Sequence, residues 1–300
     1  MSQQNNNILL LDKKIKNIRT NNLDKVNAIC KKVCLFTNAR NEKHIKEWAA
    51  HHLLIGFSRI VIFDHKSEKP LKEVFHGFDK RVKIINASHL ENPVKMKLMN
   101  KAAEIANLLK VDWMLYLDAD EFVILNEKYQ GVKHLLSVYN HADSLAVNWT
   151  MFGSNNLKND PDGLILENYT KSDLYLHHHV KCFVRPSKVL NSNNPHFYNM
   201  KDIYRYFDIN NKLITKSYHT NECNKEYYNV PVYIAHYVYQ SEEAFLKRKI
   251  QLPRDDNGEH RHYDDLKFIH DLHNSHENFY PKNKYAEKIK LFLNNYGHSY

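Results

Sequence analysis

From Val33 to Trp149 the apolar positions change period several times, and each change marks an element. Val33–Thr37 is an apolar run short enough for a buried strand, whereas Glu42–Ile55 places Ile45, Trp48, Ala49, His52 and Leu53 on one helical face. Gly56 supplies the stop, because a residue without Cβ enters the left-handed region at little cost. Arg59–Phe63 and Val82–Ala87 read as the next two strands. Asn92-Pro93 predicts a helix start, with Asn at the N-cap and Pro at the first helical position, ahead of a stripe of Leu98, Ala102, Ile105 and Leu109. Trp113–Leu117 is a further strand that ends abruptly in Asp118-Ala119-Asp120-Glu121, and Ser144–Trp149 is the strand expected after it. Strand, helix, strand, strand, helix, strand is the order of an α/β fold, a mostly parallel sheet with helices on its faces.

The periodicity weakens after Gly153, where Lys181–Arg185 and Val230–Val238 read as strands, Glu242–Gln251 as a helix, and Tyr285–Asn294 as a last helix with Ile289, Phe292 and Leu293 on one side. The organisation expected is a mobile tail over 1–31 with one short helix, Leu9–Ile18, a core over 32–155, and an elaborated lobe over 156–300 on the same domain. The apolar edge Tyr233–Tyr239 packs either internally or against a second subunit, as in a homodimer.

Composition narrows the function classes. A 300-residue chain with 43% hydrophobic and 26% charged residues is not disordered throughout, and 7 Gly and 8 Pro against 19 Tyr and 14 Phe exclude a collagenous or linker-like chain. The net charge of +9 favours anionic partners, whether nucleotide phosphates, nucleic acid or acidic membranes. Cys30, Cys34, Cys182 and Cys223 show no disulfide-framework spacing and no CxxC pair, so a reducing, cytoplasmic-type compartment is the simpler expectation. The N-terminus lacks the order of a secretory signal, and no apolar run spans a bilayer, so a complete chain of this sequence would be soluble.

In open α/β sheets ligands bind at the carboxyl ends of the strands. Asn38-Ala39-Arg40-Asn41-Glu42, Asp64-His65-Lys66-Ser67, Asp118-Ala119-Asp120-Glu121 and His236-Tyr237 fall there. Three carboxylates within four residues resist burial unless something positive sits among them. A divalent cation is the economical answer, Mg²⁺ or Mn²⁺ on oxygen ligands, with an imidazole shifting the choice to Mn²⁺; the plain alternative is a solvated acidic turn. Asp64 suits a ribose hydroxyl or an Asx-turn, and Arg40 a phosphate or a solvated helix entry. Adjacent side chains diverge in regular structure, so His177-His178-His179 reads as a strand end or loop rather than a metal tract. His196 and His236 are each either core histidines or the completing ligand of the metal site. No Walker A or GxGxxG motif is present.

Ala39-Arg40-Asn41-Glu42, Glu47-Trp48 with His51 and Gly56, Phe63-Asp64, and Trp113-Met114-Leu115-Tyr116-Leu117-Asp118-Ala119-Asp120-Glu121-Phe122 together resemble glycosyltransferases of the family-2-like and family-92-like group. The likeness covers about residues 33 to 155 and continues more loosely through Trp149, Phe152-Gly153-Ser154, Lys181, Val184-Arg185-Pro186, Pro195-His196-Phe197, His236-Tyr237, Ser241 and Lys247. It implies a GT-A fold, with the nucleotide-sugar donor, a UDP-sugar, across the strand ends and a hydroxyl acceptor (glycan, protein or small molecule) against the later lobe. On this resemblance Asp118, Asp120 and His236 hold a divalent metal, Mn²⁺ before Mg²⁺, and Thr37, Asn38, Arg40, Glu42, Asp64 and Asp118 contact the nucleotide sugar. Glu121 and His196 are the catalytic candidates, with Glu167 and Asp173 as further guesses. Gln240 stands where related sequences often carry lysine, and no clear Glu-Asp pair for an inverting base is present. A non-catalytic holder of anionic polymers on the same fold, and a metal-dependent nuclease or nucleotidyltransferase, are the competing readings; no specific nucleic-acid partner is expected.

Overall fold

The computed structural model describes residues 30–214 and 224–298, so the expected tail helix Leu9–Ile18 and Cys223 lie outside the described residues. The first half runs β1 (Val33–Ala39), α1 (Ile45–Leu54), β2 (Arg59–Asp64), α2 (Leu71–Val74), β3 (Val82–Asn86), α3 (Lys95–Leu108), β4 (Trp113–Tyr116), β5 (Glu121–Leu125), α4 (Val132–Val138) and β6 (Ser144–Met151). The second half adds α5 (Ile165–Asn168), β7 (Lys171–Ser172), β8 (Val180–Val184), β9 (Val189–Asn194), β10 (Phe197–Met200), β11 (Tyr206–Asp208), β12 (Val232–His236), α6 (Glu242–Phe245), β13 (His276–Glu277) and α7 (Tyr280–Asn294).

The central sheet is ordered β3-β2-β1-β4-β8-β6-β12-β5, with β11 also paired to β6. Pairing is parallel among β1, β2, β3 and β4 and between β6 and both β11 and β12. It is antiparallel where β8 enters between β4 and β6 and where β5 joins β12. This is the expected α/β architecture, consistent with a Rossmann-like GT-A fold. Every residue of β1 is buried, and its side chains alternate between two cores, Val33 and Leu35 in one, Cys34 and Phe36 in the other. Both faces of the strand are therefore covered, as a parallel sheet requires. Cys30, Cys34 and Cys182 are buried free thiols.

Strand β5 was not expected from periodicity, because its Phe122–Leu125 run is too short and too uniformly apolar to show alternation. It is also the sheet's last strand, and its outward edge carries backbone groups that need partners. Side chains of α1 and α7 supply them. Trp48 Nε1 donates to the Glu121 carbonyl at 2.8 Å, His51 Nε2 donates to the Val123 carbonyl at 2.9 Å, and the Val123 N–H donates to His52 Nε2 at 3.3 Å. Two residues on, the Leu125 N–H donates to Tyr285 Oη at 3.2 Å, and Lys284 and Tyr280 donate to its carbonyl. The Glu47-Trp48-His51 motif is thus a scaffold that fixes the strand leaving the acidic cluster; Glu47 accepts the N–H groups of Ile165 and Leu166 at the start of α5.

Gly56 stops α1 as expected. At φ 101° it donates to Leu53 O while Phe57 donates to His52 O, the paired bonds of a Schellman cap. The start of α3 differs from expectation. The helix begins at Lys95 behind Val94, the Asn92-Pro93 peptide is cis, and the Val94 and Lys95 N–H groups donate to the Asp255 carbonyl, both at 2.9 Å. A distant carbonyl caps this helix, so Asn92 is not needed there. The helix expected over Glu242–Gln251 is α-helical only to Phe245 and widens to a π-helix over Leu246–Ile250. The Tyr233–Tyr239 edge packs internally, since β12 lies between β6 and β5 with Tyr233 and Tyr237 buried.

Gly153, just past β6, sits under the segment that follows the 3₁₀ turn at Tyr263–Phe268. A Cβ at this position would lie 2.6 Å from the His273 carbonyl and on the Asn274 side chain. Gly153→Ala is expected to cost about 2 kcal/mol by overpacking against backbone, read as a fall in Tm of roughly 5 °C; an unchanged Tm would show that the 270–274 segment is free to withdraw.

Candidate active site

The topology brings chemistry to one edge. Strands β1, β4, β6 and β12 all end there, and because β8 and β5 are antiparallel they begin there, so Lys181 and Glu121 arrive beside Asp118 and His236. The three acids are offset by four cations. Asp118, a third of whose side chain is exposed, accepts from Lys95 and, at 3.0 Å, from Lys181. Buried Asp120 accepts from Arg248 at 2.8 Å and Lys249 at 2.7 Å through Oδ2. Glu121 is fully buried, takes the Asp118 N–H at 2.8 Å, and lies 3.5 Å from Lys181 Nζ.

These surroundings set the protonation states. Burial pushes Glu121 up to about 7 despite Lys181, and burial together with neighbouring Lys181 pulls Lys95 down to about 8. Burial also opposes the charge on Asp120, but Lys249, His236 and Arg248 outweigh it and hold the carboxyl well below the usual range. His236 is lowered to about 4 by burial, against the pull of Asp120. The π-helix is the source of Arg248 and Lys249, and the segment after it crosses the strand ends. Asp255 accepts from Asn38 Nδ2 at 2.5 Å, and the Pro253 carbonyl accepts from Arg40 at 2.8 Å.

Of the residues expected at the nucleoside, Glu42 lines an open cleft of about 730 Å³ at the ends of β1 and β2. Its walls carry Lys43, Lys46, Lys69, Lys247 and Arg248 against only Glu42 and Glu68, and Arg248 Nε donates to Glu42 at 2.9 Å, which ties the cleft to Asp120. Thr37 and Asn38 are buried; Asn38 also accepts from Tyr116 Oη at 2.9 Å. Asp64 accepts the N–H groups of Ser67 and Leu71, the turn role open to it from the sequence. Glu167 pairs with Lys290 of α7, and Asp173 with His273 at 2.6 Å.

Of the expected metal ligands, Asp120 and His236 lie together, although Arg248 and Lys249 already pair with the other oxygen of Asp120. Asp120 Oδ1 is 3.6 Å from His236 Nε2, and Asp120 Oδ1 and Glu121 Oε1 are buried atoms with no hydrogen-bond partner among the described residues. One carboxylate oxygen and one imidazole nitrogen are a donor pair suited to Mn²⁺, leaving further positions for phosphate oxygens. Asp118 does not converge with them, since Lys95 and Lys181 hold its carboxylate. His196 stands apart, in the turn between β9 and β10, with its ring 5.1 Å from Trp149.

One expectation is corrected. The His177-His178-His179 rings do not diverge; a ring nitrogen from each lies within 4.8 Å of the others. The loop expected for these residues is found, an irregular bend between β7 and β8, and the divergence rule, which holds for helices and strands, does not apply there. Lys95, Arg248, Lys249 and Asp255 were not expected at the site; the Lys247-Arg248-Lys249 run was the signal available for two of them.

Among solved structures, 4-diphosphocytidyl-2C-methyl-D-erythritol synthase overlaps with a TM-score of 0.34 at 13% identity, over 53% of this chain and 77% of its own. A nucleotidyl transferase from Methanothermobacter thermautotroptrophicus overlaps at 0.29 and 8% identity, over 52% and 73%. A family 92 glycosyltransferase of Ricinus communis is 26% identical over 227 residues, which is 72% of this chain and 37% of that relative, so the chain spans little more than a third of the relative's length. The family model of glycosyltransferase family 92 matches residues 28–290, from before β1 into α7 and through the whole acidic and basic cluster. With that much of it matched, the chain belongs to glycosyltransferase family 92.

Proposed function

We propose that the protein transfers a sugar from a nucleotide-sugar donor, a UDP-sugar, to a hydroxyl of a glycan, protein or small-molecule acceptor. The observation that carries this reading is the presence, at the ligand edge of the sheet and beside a cationic cleft, of Asp118 held by Lys95 and Lys181 and of Asp120 held by Arg248 and Lys249 next to His236. Breaking a sugar–phosphate bond leaves negative charge on the diphosphate, and pre-placed cations lower that barrier. Lys95, Lys181, Arg248 and Lys249 are placed for this charge, and the lysines of the cleft for attracting the nucleotide. Asp120 and His236 would hold Mn²⁺ or Mg²⁺, which supplies Lewis-acid stabilisation when bound. Glu121 positions Asp118 through its N–H, and His196, near Trp149, is the candidate for the acceptor proton.

Thermal melting with UDP and Mn²⁺, singly and together, tests the reading. Ligand at a hundredfold excess over Kd stabilises by about 2.7 kcal/mol, so the pair is expected to raise Tm by several degrees more than the two separate shifts combined. A flat response to millimolar UDP and Mn²⁺ in folded protein would refute it. A hydrolysis screen across nucleotide sugars then identifies the donor, and binding without turnover on any donor would favour a non-catalytic role.

A further inference from the structure

We propose that His177, His178 and His179 form a nitrogen-donor metal site for a borderline divalent ion of the Zn²⁺ class, separate from the pair Asp120 and His236. His177 Nδ1 and His179 Nδ1 are 3.2 Å apart, one donating to the other, and His177 Nδ1 also accepts the His179 N–H at 3.3 Å, so an ion bound here takes the place of these bonds. Two imidazole nitrogens bound to one tetrahedral zinc at 2.0–2.1 Å stand about 3.3 Å from each other, so this pair already has the spacing of a chelate. All three residues offer a nitrogen within 4.8 Å, and His178, the exposed one, has room to swing onto the ion.

The backbone holds the arrangement. The His177 N–H donates to the Trp149 carbonyl at 2.7 Å, the Trp149 N–H donates to the His179 carbonyl at 3.1 Å, and Asn148 Nδ2 donates to the His177 carbonyl at 2.9 Å. Both outer histidines are thereby pinned to the end of β6, and their rings stack at 4.9 Å with an interplanar angle of 8°. Burial and the two neighbouring histidines lower His177 to about 4, which keeps it a neutral ligand at neutral pH. Asp173 and His273, hydrogen-bonded to each other at 2.6 Å, also act electrostatically on His177, in opposite senses.

The donor chemistry separates the two sites. Imidazoles alone select zinc, copper or nickel over magnesium, whereas an Asp oxygen beside one histidine keeps the harder ions. The Trp149 ring stands against both, 5.4 Å from His179 and 4.4 Å from His236.

Zn²⁺ binding, measured without nucleotide against a chromophoric chelator, and Co²⁺ absorption in the visible test the proposal independently of the glycosyltransferase reading. The full protein is expected to retain a Zn²⁺ equivalent that His177→Ala/His179→Ala loses, with the Co²⁺ bands lost alongside. His178→Ala, which removes an exposed ring, is expected to bind at least about tenfold more weakly. No zinc retention by the native chain, or equal affinity in the native and double-variant proteins, overturns the site. If the double variant does not fold, unchanged affinity in His178→Ala overturns it.

Discussion

Asp120→Asn is expected to lower donor turnover by about 10²–10³-fold and, in the same protein, to destabilise the fold by about 3–5 kcal/mol. The second effect follows from where the carboxylate lies. Asp120 is 2% exposed, and one of its oxygens accepts from both Arg248 and Lys249. Removing its charge leaves a buried guanidinium with Glu42 as its remaining partner, and a cation stripped of one partner costs far more than the pair contributes. Replacing the whole set is a different case, because apolar side chains of similar volume need no partner. Asp120→Leu/Arg248→Met/Lys249→Met is therefore expected to regain most of the urea midpoint lost in Asp120→Asn while staying inactive. Urea denaturation and donor hydrolysis on the same preparations decide it: an Asp120→Asn midpoint equal to the parent's would mean that solvent, not Arg248 and Lys249, satisfies this carboxylate.

That network marks the limit of what the chain discloses in one dimension. Strands β1, β2, β4 and β6 and the Gly56 stop are legible because periodicity and turn chemistry are local, and the acids at the end of β4 are legible because they interrupt an apolar run. Period reports that a face is buried, not which polar atom it must satisfy. Trp48 and His52 therefore read as part of an apolar helix face, while their nitrogens, with that of His51, serve the open edge of β5. Lys247-Arg248-Lys249 lies in the helix expected over Glu242–Gln251, and helical period does not disclose that the π-helix aims two of its members at a carboxylate 128 and 129 positions away. Lys181 is visible as a strand start, but its place at the site is hidden for the same reason: only the antiparallel entry of β8 between β4 and β6 makes its strand start coincide with their ends. The histidine triplet is legible as a loop, but the closeness of its rings is not, because the divergence of adjacent side chains belongs to regular structure and these residues lie in a bend.

The histidines that satisfy β5 also make the fold acid-sensitive, with a sign fixed by their partners. His52 Nδ1 donates to the Trp48 carbonyl at 2.8 Å, and its Nε2 accepts from the Val123 N–H, so a second proton would turn that acceptor against a donor. His51 donates through Nε2, and its Nδ1 is buried without a hydrogen-bond partner among the described residues, so a proton there gains nothing to offset the buried charge. Burial accordingly lowers His51 to about 4, and lowers His52 well below its ordinary value. For a base depressed in the folded state, the unfolded chain binds more protons between the two pKa values. The stability contributed is then complete above the unfolded pKa of about 6.5 and is lost as pH falls toward the folded one. At pH 5 the loss from His51 alone is about 2 kcal/mol, from 1.36 kcal/mol per unit over some 1.5 units. His177 and His236, also lowered to about 4, act in the same direction, so the total slope does not isolate His51. His51→Gln does, because its amide keeps a donor for the Val123 carbonyl and cannot titrate. Relative to the variant, the parent should gain about 2 kcal/mol of unfolding free energy in urea titrations as pH rises from 5 to about 6.5, with a constant difference from there to pH 8; parallel curves throughout would show that His51 takes up its proton in the folded state as readily as in the unfolded one.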